Sequence, residues 1–487
     1  MKDILFTHAY FLWLDPKQWR TGQPYAPLAT LWAAAVMREK GYDVHFHDVQ
    51  FSKGPGDIAP VLLEHQPRYF IIYDDGFNYL TKMCLTNMRD AAFRMIQIAK
   101  ASGAVVIVSS SDATDHFEAY LAKGADFVLI GEAEQALLEL ITALEKKEQD
   151  LVSIPGIAFQ KEQSTVKTTS RPVMRNLDAL PLPAWDLVDF VPYRKMWYNH
   201  AGYFSINIGT TRGCPFKCNW CAKPIYGNRY NARSPQHVAR ELKMLKEITA
   251  FEHVWFCDDI FGLKPGWVKE FANEVGKEKI KFRFKIQSRA DLLIQEDYVL
   301  ALKEAGCENV WMGAESGSQK ILDAMDKGIR VEQIKQATAL LKQHGIRVSF
   351  FIQFGYPGET KEDILLTIRM IHELTPDEIG ISVSYPLPGT PFYEKVKNEL
   401  SAKSNWTDSD ELVVMFRGTY GALFYKQLHR YVHKSYKKRL AVEQLRILFT
   451  RPGKTNWQQL KKALGAFLLI PSVYWSKRKL QLLERTT

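Results

Sequence analysis

Six cysteines in 487 residues are too few, and too unevenly placed, for a disulfide framework. Three are clustered at Cys214, Cys218 and Cys221. Cys84, Cys257 and Cys307 are scattered in apolar or mixed surroundings. A reduced, cytosolic protein is expected. No apolar run reaches the length needed to span a bilayer. The run from Met1 to His8 turns polar too soon for a signal peptide. No low-complexity tract occurs. Acidic residues are scarce in one region only. From Leu412 to Thr487, 16 Lys and Arg face just Glu443 and Glu484. The whole chain carries +10, so the preceding residues are slightly acidic and the basic character belongs to the tail. Basic charge alone is weak evidence for nucleic acid, and no such partner is expected.

Against this sparse background the run Thr211-Arg-Gly-Cys-Pro-Phe-Lys-Cys-Asn-Trp-Cys221 stands out, with spacing C-x3-C-x2-C. Three thiolates this close suit three irons of a [4Fe–4S] cube. No fourth cysteine follows nearby, so one iron would lack a protein ligand and could chelate a small molecule. A zinc site is the alternative, but zinc wants a fourth Cys or His at ligand spacing. Three unpaired core cysteines are the other.

Strands and helices alternate from residue 1 to about 140, with five expected strands. That pattern implies a doubly wound parallel sheet in a domain 1–150, with ligands at the carboxyl ends of its strands. Residues 151–200 read as a connector, extended around Leu180-Pro-Leu-Pro-Ala-Trp-Asp186 because each Pro biases its predecessor away from helix. Six further strand–helix repeats follow in 201–395, which suits a partial (βα)6 barrel. Residues 396–487 are helical in pattern. The fold class expected is α/β with a C-terminal helical segment.

The cysteine run and the barrel together resemble the radical S-adenosylmethionine (SAM) superfamily over about residues 200–395. Pro224 to Pro235 is similar to its cobalamin-dependent members. In that family the open iron holds the amino and carboxylate groups of SAM, and one electron cleaves SAM to a 5′-deoxyadenosyl radical. The resemblance places Trp220 near the SAM adenine. It places Cys257, Asp258 and Asp259 at the end of the second barrel strand, near the SAM amino group; a helix cap is the bland alternative. Ser288, Arg289 and Glu315 follow at the ends of the third and fourth strands, where glycines beside Glu315 permit close approach. A structural Glu–Arg pair closing the barrel competes with that role. Phe354 to Thr360 and Tyr385 to Phe392 complete the match as turn-rich elements.

The α/β domain ahead of the barrel resembles the cobalamin-binding domain of one radical SAM class, through Pro27 to Val44 and Val128 to Glu134. The resemblance implies cobalamin over the strand ends, with Ser109, Ser110, Ser111, Gly131 and Glu132 as candidate contacts. The D-x-H-x-x-G motif that supplies a cobalt-ligating His is absent, so cobalt would have no lower His ligand. Ser109-Ser-Ser111 also replaces the usual glycine pair, and such serines are ordinary loop residues where no ligand binds.

The resemblance implies an enzyme, with its catalytic residues unassigned. Expected cofactors are a [4Fe–4S] cluster, SAM and cobalamin. The reaction expected is methylation of an unactivated carbon of a small hydrophobic substrate, with an electron donor such as flavodoxin or ferredoxin. Radical cyclisation or rearrangement without methyl transfer is the second reading, and a non-catalytic corrinoid- or cluster-binding sensor the third. The tail interleaves aromatic and basic residues between Leu423 and Arg446, and Leu464 to Trp475 is apolar between basic flanks. It reads as a helical cap with a solvated basic face, or as a membrane-surface contact of a protein peripheral to the membrane. A similar basic tail follows the barrel in the anaerobic magnesium-protoporphyrin monomethyl ester cyclases.

Overall fold

The computed structural model describes residues 3–485 except 78, 224, 401, 402, 404 and 451–456. Its first sheet contains β1 (Asp3–Thr7), β2 (Asp43–Phe46), β3 (Tyr69–Tyr73), β4 (Val105–Ser109), β5 (Phe127–Leu129), β6 (Ile157–Lys161) and β7 (Ser164–Lys167). The order is β2-β1-β3-β4-β5-β6-β7. The first five strands pair in parallel, as expected. Sheets of this order reverse direction between β1 and β3, where ligands bind beyond the strand ends.

The stretch 151–200 differs from the expected connector. Its first part folds as the antiparallel hairpin β6–β7 on the open edge of β5. Ile157, Ala158 and Phe159 are buried there, whereas Gln160 and Lys161 are exposed. Three apolar residues are too short a run to announce a strand, but enough to cover an edge that would otherwise expose a ladder of unpaired backbone groups. Its last part is a helix, Phe190–Ala201, capped by Asp189 and burying Phe190, Tyr193 and Trp197.

The second sheet holds β8 (Ser205–Ile208), β11 (His253–Phe256), β12 (Arg283–Ser288), β13 (Cys307–Glu315), β14 (Arg347–Phe354) and β15 (Glu378–Val383). All pair in parallel, in the order β15-β14-β13-β12-β11-β8. This is the six-stranded partial barrel. A two-stranded ribbon of β9 (Thr211–Arg212) and β10 (Asn231–Ala232) projects after β8. One face of the sheet is apolar: Ile206, Val254, Phe284, Ile286, Val310, Met312, Val348 and Phe350 are fully or almost fully buried. Period-two alternation assigns their neighbours to the opposite face.

Helices Ala422–Thr450 and Trp457–Arg485 pack on each other, with Gln427 Nε2 donating to the Ser476 carbonyl at 2.9 Å. The first helix turns Phe424, Tyr425, Leu428, Val432 and Tyr436 inward and leaves Lys426, Arg430, Lys437 and Arg439 exposed. Ser435 bonds His372 of the barrel at 3.0 Å. This is the arrangement of a helical cap. The side chains of residues 464–468, in the expected apolar run, lie outside the described residues. No helix among the described residues is long and apolar enough to cross a membrane. The segment before the tail returns to the first domain, where Thr86 N–H donates to the Trp406 carbonyl and Ser409 Oγ donates to Asp15, each at 2.8 Å.

The turn after β14 contains Glu359, which is fully buried. One carboxyl oxygen accepts from Gly355 N–H at 2.7 Å and the other has no partner. Burial pushes its pKa up to about 8. The folded protein therefore keeps Glu359 protonated while the unfolded chain ionises it, and stability falls as pH rises from about 4.5 towards 8. Glu359→Gln should flatten this loss. Above pH 8 it should be about 2 kcal/mol more stable than the native protein in urea denaturation.

Candidate active site

The site begins at a buried ion triad between the two domains. Arg212 in β9 pairs through Nη1 with Glu132 at 2.5 Å and through Nη2 with Glu134 at 2.6 Å. Both carboxylates lie in the turn after β5, at the start of helix Glu134–Lys146. The guanidinium also stands 5.1 Å from the Trp32 ring centroid and 5.0 Å from that of Tyr226. Gly213 follows with φ +79°, and a Cβ there would fall 2.1 Å from the Arg229 carbonyl oxygen, so only glycine fits. The next residue is Cys214.

The cysteine loop spans 213–230 between β9 and β10. Asn219, between Cys218 and Cys221, anchors it. Its amide nitrogen donates to the Ala324 carbonyl and Asp326 at 2.8 Å each, and its amide oxygen accepts from Tyr356 O–H at 2.9 Å. Its backbone bonds Met325 and Phe392 at 3.0 Å. Arg289 grips the other side. It binds Asp291 through two nitrogens at 3.0 and 3.1 Å, donates to the Lys327 carbonyl at 2.9 Å, and lies 3.6 Å from the Phe216 ring centroid. Its Nη1 is 3.8 Å from Cys218 Sγ. Cys214 is buried and the other two thiols are half-buried. Burial pushes Cys221 up to about 12, opposed by Lys223 and Lys82; burial also raises Cys214. Thiols are thus favoured over thiolates in the metal-free chain, and a metal would displace their protons.

The strand ends gather the remaining candidates. Cys257 is buried, with its N–H on the Ile208 carbonyl at 3.0 Å. One oxygen of Asp258 accepts Thr210 N–H at 2.7 Å and Thr211 N–H at 2.8 Å; the other accepts the Thr210 hydroxyl. Both its oxygens therefore hold the approach to the cysteine loop. Asp259 instead pairs with Lys82 of the first domain at 2.9 Å. Glu315 sits in left-handed backbone, φ +56°, at a register shift in β13, and pairs with Lys327 at 2.7 Å. The expected competing partner of Glu315 was an arginine; the structure supplies Lys327, while Arg289 takes Asp291. Gly313 permits this, since a Cβ there would lie 2.7 Å from Lys327 Nζ. Trp220 Nε1 is buried without a hydrogen-bond partner, and buried Ser288 Oγ has only the Tyr298 hydroxyl near it.

In the first domain a small cavity lies at the β1/β3 switch point, lined by Ala9, Tyr10, Asp74, Met88, Arg89 and Asp112. The serine run divides. Ser109 carbonyl accepts Asp74 N–H at 2.8 Å, Ser110 Oγ caps Ala113 N–H at 2.8 Å, and Ser111 Oγ is buried and unpartnered. Gly131, φ +75°, donates to Thr114 Oγ1 at 3.2 Å. Glu132 is committed to Arg212 and to the Met174 N–H.

The sequence reading missed Arg212, Asn219, Phe216, Lys82 and Lys327. The first three flank or separate the cysteines, and that adjacency was the available signal. The lysines arrive from remote segments. Arg212→Met would leave two carboxylates buried without their partner, and about 3–5 kcal/mol should be lost in urea denaturation. The triple variant Arg212→Met, Glu132→Gln, Glu134→Gln should recover most of this. A single Arg212→Met variant as stable as the native protein would contradict the account.

Residues 208–371 match the family model of the Radical SAM superfamily. An uncharacterized methyltransferase of Pyrococcus horikoshii is 27% identical over 392 residues, which is 78% of this chain and 80% of that protein. An anaerobic magnesium-protoporphyrin IX monomethyl ester cyclase of Synechocystis is 25% identical, over 75% of this chain and 72% of that protein. Among solved structures, the cobalamin-dependent S-adenosylmethionine radical enzyme OxsB, with aqua-cobalamin and S-adenosylmethionine bound, superposes with a TM-score of 0.73 at 16% identity. The match covers 96% of this chain and 70% of that one. Residues 208–371 thus form a Radical SAM domain, and the two-sheet chain that contains it shares its overall fold with OxsB.

Proposed function

We propose that the chain carries a [4Fe–4S] cluster on Cys214, Cys218 and Cys221, binds SAM at the barrel's strand ends and cobalamin at the first sheet's switch point, and methylates an unactivated carbon of a hydrophobic metabolite. The observation that carries this reading is the pinned cysteine loop with cations around it. Arg289 reaches Cys218; Lys327 is near enough to act electrostatically on Cys218, and Lys223 and Lys82 on Cys221, where Asp259 opposes them. Such charges offset those of three thiolates in a site with little water. When bound, the cluster supplies the electron that cleaves SAM, and cobalamin supplies a transferable methyl group.

The chain's own residues would bind and orient these groups. Trp220 Nε1 is a donor awaiting an acceptor, and buried donors are rarely left unpaired, while Ser288 Oγ stands beside the Tyr298 hydroxyl. Asp259 and Glu315 are the carboxylates free to exchange a lysine for the SAM amino group, whereas Asp258 holds the loop and Cys257 packs beside it. Ser111 and Gly131 follow β4 and β5 at the same carboxyl edge of the sheet, outside the lining of the switch-point cavity. His8, at the end of β1, spends both ring nitrogens: Nδ1 accepts Tyr10 N–H at 3.2 Å and Nε2 meets Asp48 at 2.9 Å. Cobalt would have no lower His ligand there. A flavodoxin or ferredoxin would deliver electrons. Exposed Tyr474, Trp475 and Leu482 beside Lys477, Arg478 and Lys479 suit peripheral contact with an anionic membrane surface.

The cyclase relative favours a second reading, radical cyclisation without methyl transfer. Methyl-labelled SAM separates the two, since only methylation moves label into product. A sensor would release no 5′-deoxyadenosine above the uncoupled background.

Replacing all three cysteines by Ala should abolish iron binding after anaerobic reconstitution while circular dichroism stays native. Retained iron would move the ligands to Cys84, Cys257 or Cys307. Glu315→Gln should weaken SAM binding about tenfold by equilibrium dialysis, the scale of one charge-assisted hydrogen bond, without lowering iron content. Bound cobalamin should show a base-off spectrum that His8→Ala leaves unchanged; a reconstituted protein that retains no corrinoid would remove cobalamin from the reading.

A further inference from the structure

The barrel contains a second cleft, at the end opposite the cysteine loop, of about 240 Å³. Its walls include Tyr25, Trp255, Lys285, Trp311, Arg347 and Phe351. These barrel residues alternate with the buried apolar face of the same strands. The interior of a closed (βα)8 barrel is filled by branched apolar side chains. Here that face carries His253 and Trp255 on β11, Lys285 and Gln287 on β12, and Asn309 and Trp311 on β13. Polar and aromatic walls around open space make a chamber rather than a core.

Lys285 is the unusual member. Its Nζ stands 5.5 Å from the Tyr25 ring centroid, 5.7 Å from Trp255 and 6.0 Å from Trp197. Among the described residues no carboxylate lies within ion-pair distance of it. Glu308 instead meets Arg283 at 3.0 Å and Arg347 at 3.5 Å, and Glu378 reaches only Arg347, at 4.0 Å. Burial lowers the Lys285 pKa, with too little negative charge nearby to restore it. His253, whose ring is pushed down to about 3, is neutral and bonds Ser205 at 2.8 Å. The cleft therefore offers a half-buried lysine with no ion-pair partner among the described residues, an arginine at the rim already paired with Glu308 and Glu378, and flat apolar walls.

We infer that this cleft is a carboxylate-recognition subsite. Lys285 donates to a substrate carboxylate, Arg347 neutralises Glu308 and Glu378 at the rim, and Trp255, Trp311 and Phe351 receive a flat apolar body. The inference rests on reading the barrel as the reaction chamber. It narrows the substrate class to hydrophobic or aromatic carboxylic acids. From Lys285 to Ser288 the strand rises about 10 Å. An acid anchored at Lys285 and about that long would present its far end at the level of the proposed SAM site.

The test uses the full-length protein with 2-naphthoate and its uncharged analogue 2-naphthamide as probes, read by calorimetry. Native protein should bind naphthoate at least about tenfold more tightly than naphthamide, the difference one charge-assisted hydrogen bond makes. Lys285→Met should lose that preference and Lys285→Arg should keep it, both with native circular dichroism. Equal affinity for the two probes in the native protein, binding of neither, or an unchanged preference in Lys285→Met would overturn the inference. The two-probe comparison needs no variant, so it decides the matter even where Lys285→Met folds poorly. No iron or SAM is needed either, so a negative result with normal iron loading sinks the subsite alone.

Discussion

Arg212 is the constraint on which the arrangement depends. A guanidinium with almost no exposure loses most of its hydration, and the two carboxylates from the other domain are its charged partners among the described residues. Such a triad contributes little net stability compared with an apolar core, but it tolerates few alternative arrangements. Any rotation of one domain against the other would separate charges that have no water to turn to. Trp32 reinforces this. Its ring centroid stands 5.1 Å from the Arg212 guanidinium and 5.3 Å from that of Arg233, and Arg233 is in turn held by Glu241. The strand ends of the first sheet are thereby fixed over the start of the cysteine loop, and Gly213 turns the chain there because no side chain fits.

The loop beyond Gly213 would otherwise be a long surface excursion, costly to order. It is ordered by contacts made between the cysteines rather than by the cysteines themselves. Asn219 converts a dipeptide spacer into a bolt against residues 324–326, and Phe216 gives Arg289 a ring to stack on. The loop backbone is thus tied down before any metal arrives, although among the described residues no three ligand side chains yet converge as a metal would need. The ordering cost falls on folding, and less of it remains for metal binding.

Much of this was legible in the sequence and some was not, for identifiable reasons. The parallel strands announced themselves because their buried faces are continuous or alternating apolar runs, as at Tyr69–Tyr73 and Arg347–Phe354. The cysteine spacing carried its own chemistry. The β6–β7 hairpin was not legible, because Ile157 to Phe159 is too brief a run. The partners of the expected site residues were not legible either. Asp258 and Asp259 are adjacent and chemically identical, yet one is closed off by Thr210 and Thr211 and the other faces Lys82, 177 positions away. Glu315 likewise gave no hint of Lys327. Sequence proximity reports what a residue is, whereas its role depends on which remote side chain meets it.

The barrel's alternation was present in the sequence throughout and carries the last step. In Arg283-Phe-Lys-Ile-Gln-Ser288 the apolar residues are Phe284 and Ile286, and in Asn309-Val-Trp-Met312 they are Val310 and Met312. The residues between them, Lys285, Gln287, Asn309 and Trp311, must then face the interior, because each strand has only two faces. A barrel that needed only to be stable would fill that interior with branched hydrocarbon. Keeping a lysine there among aromatic rings sacrifices stability, and the sacrifice is reasonable only where something enters. On the reading proposed above, one end of the barrel, at Cys214–Cys221, takes the cluster, and the other, at Lys285, takes the charge of a ligand. The length of the strands between them would then set which atom of that ligand reaches the chemistry.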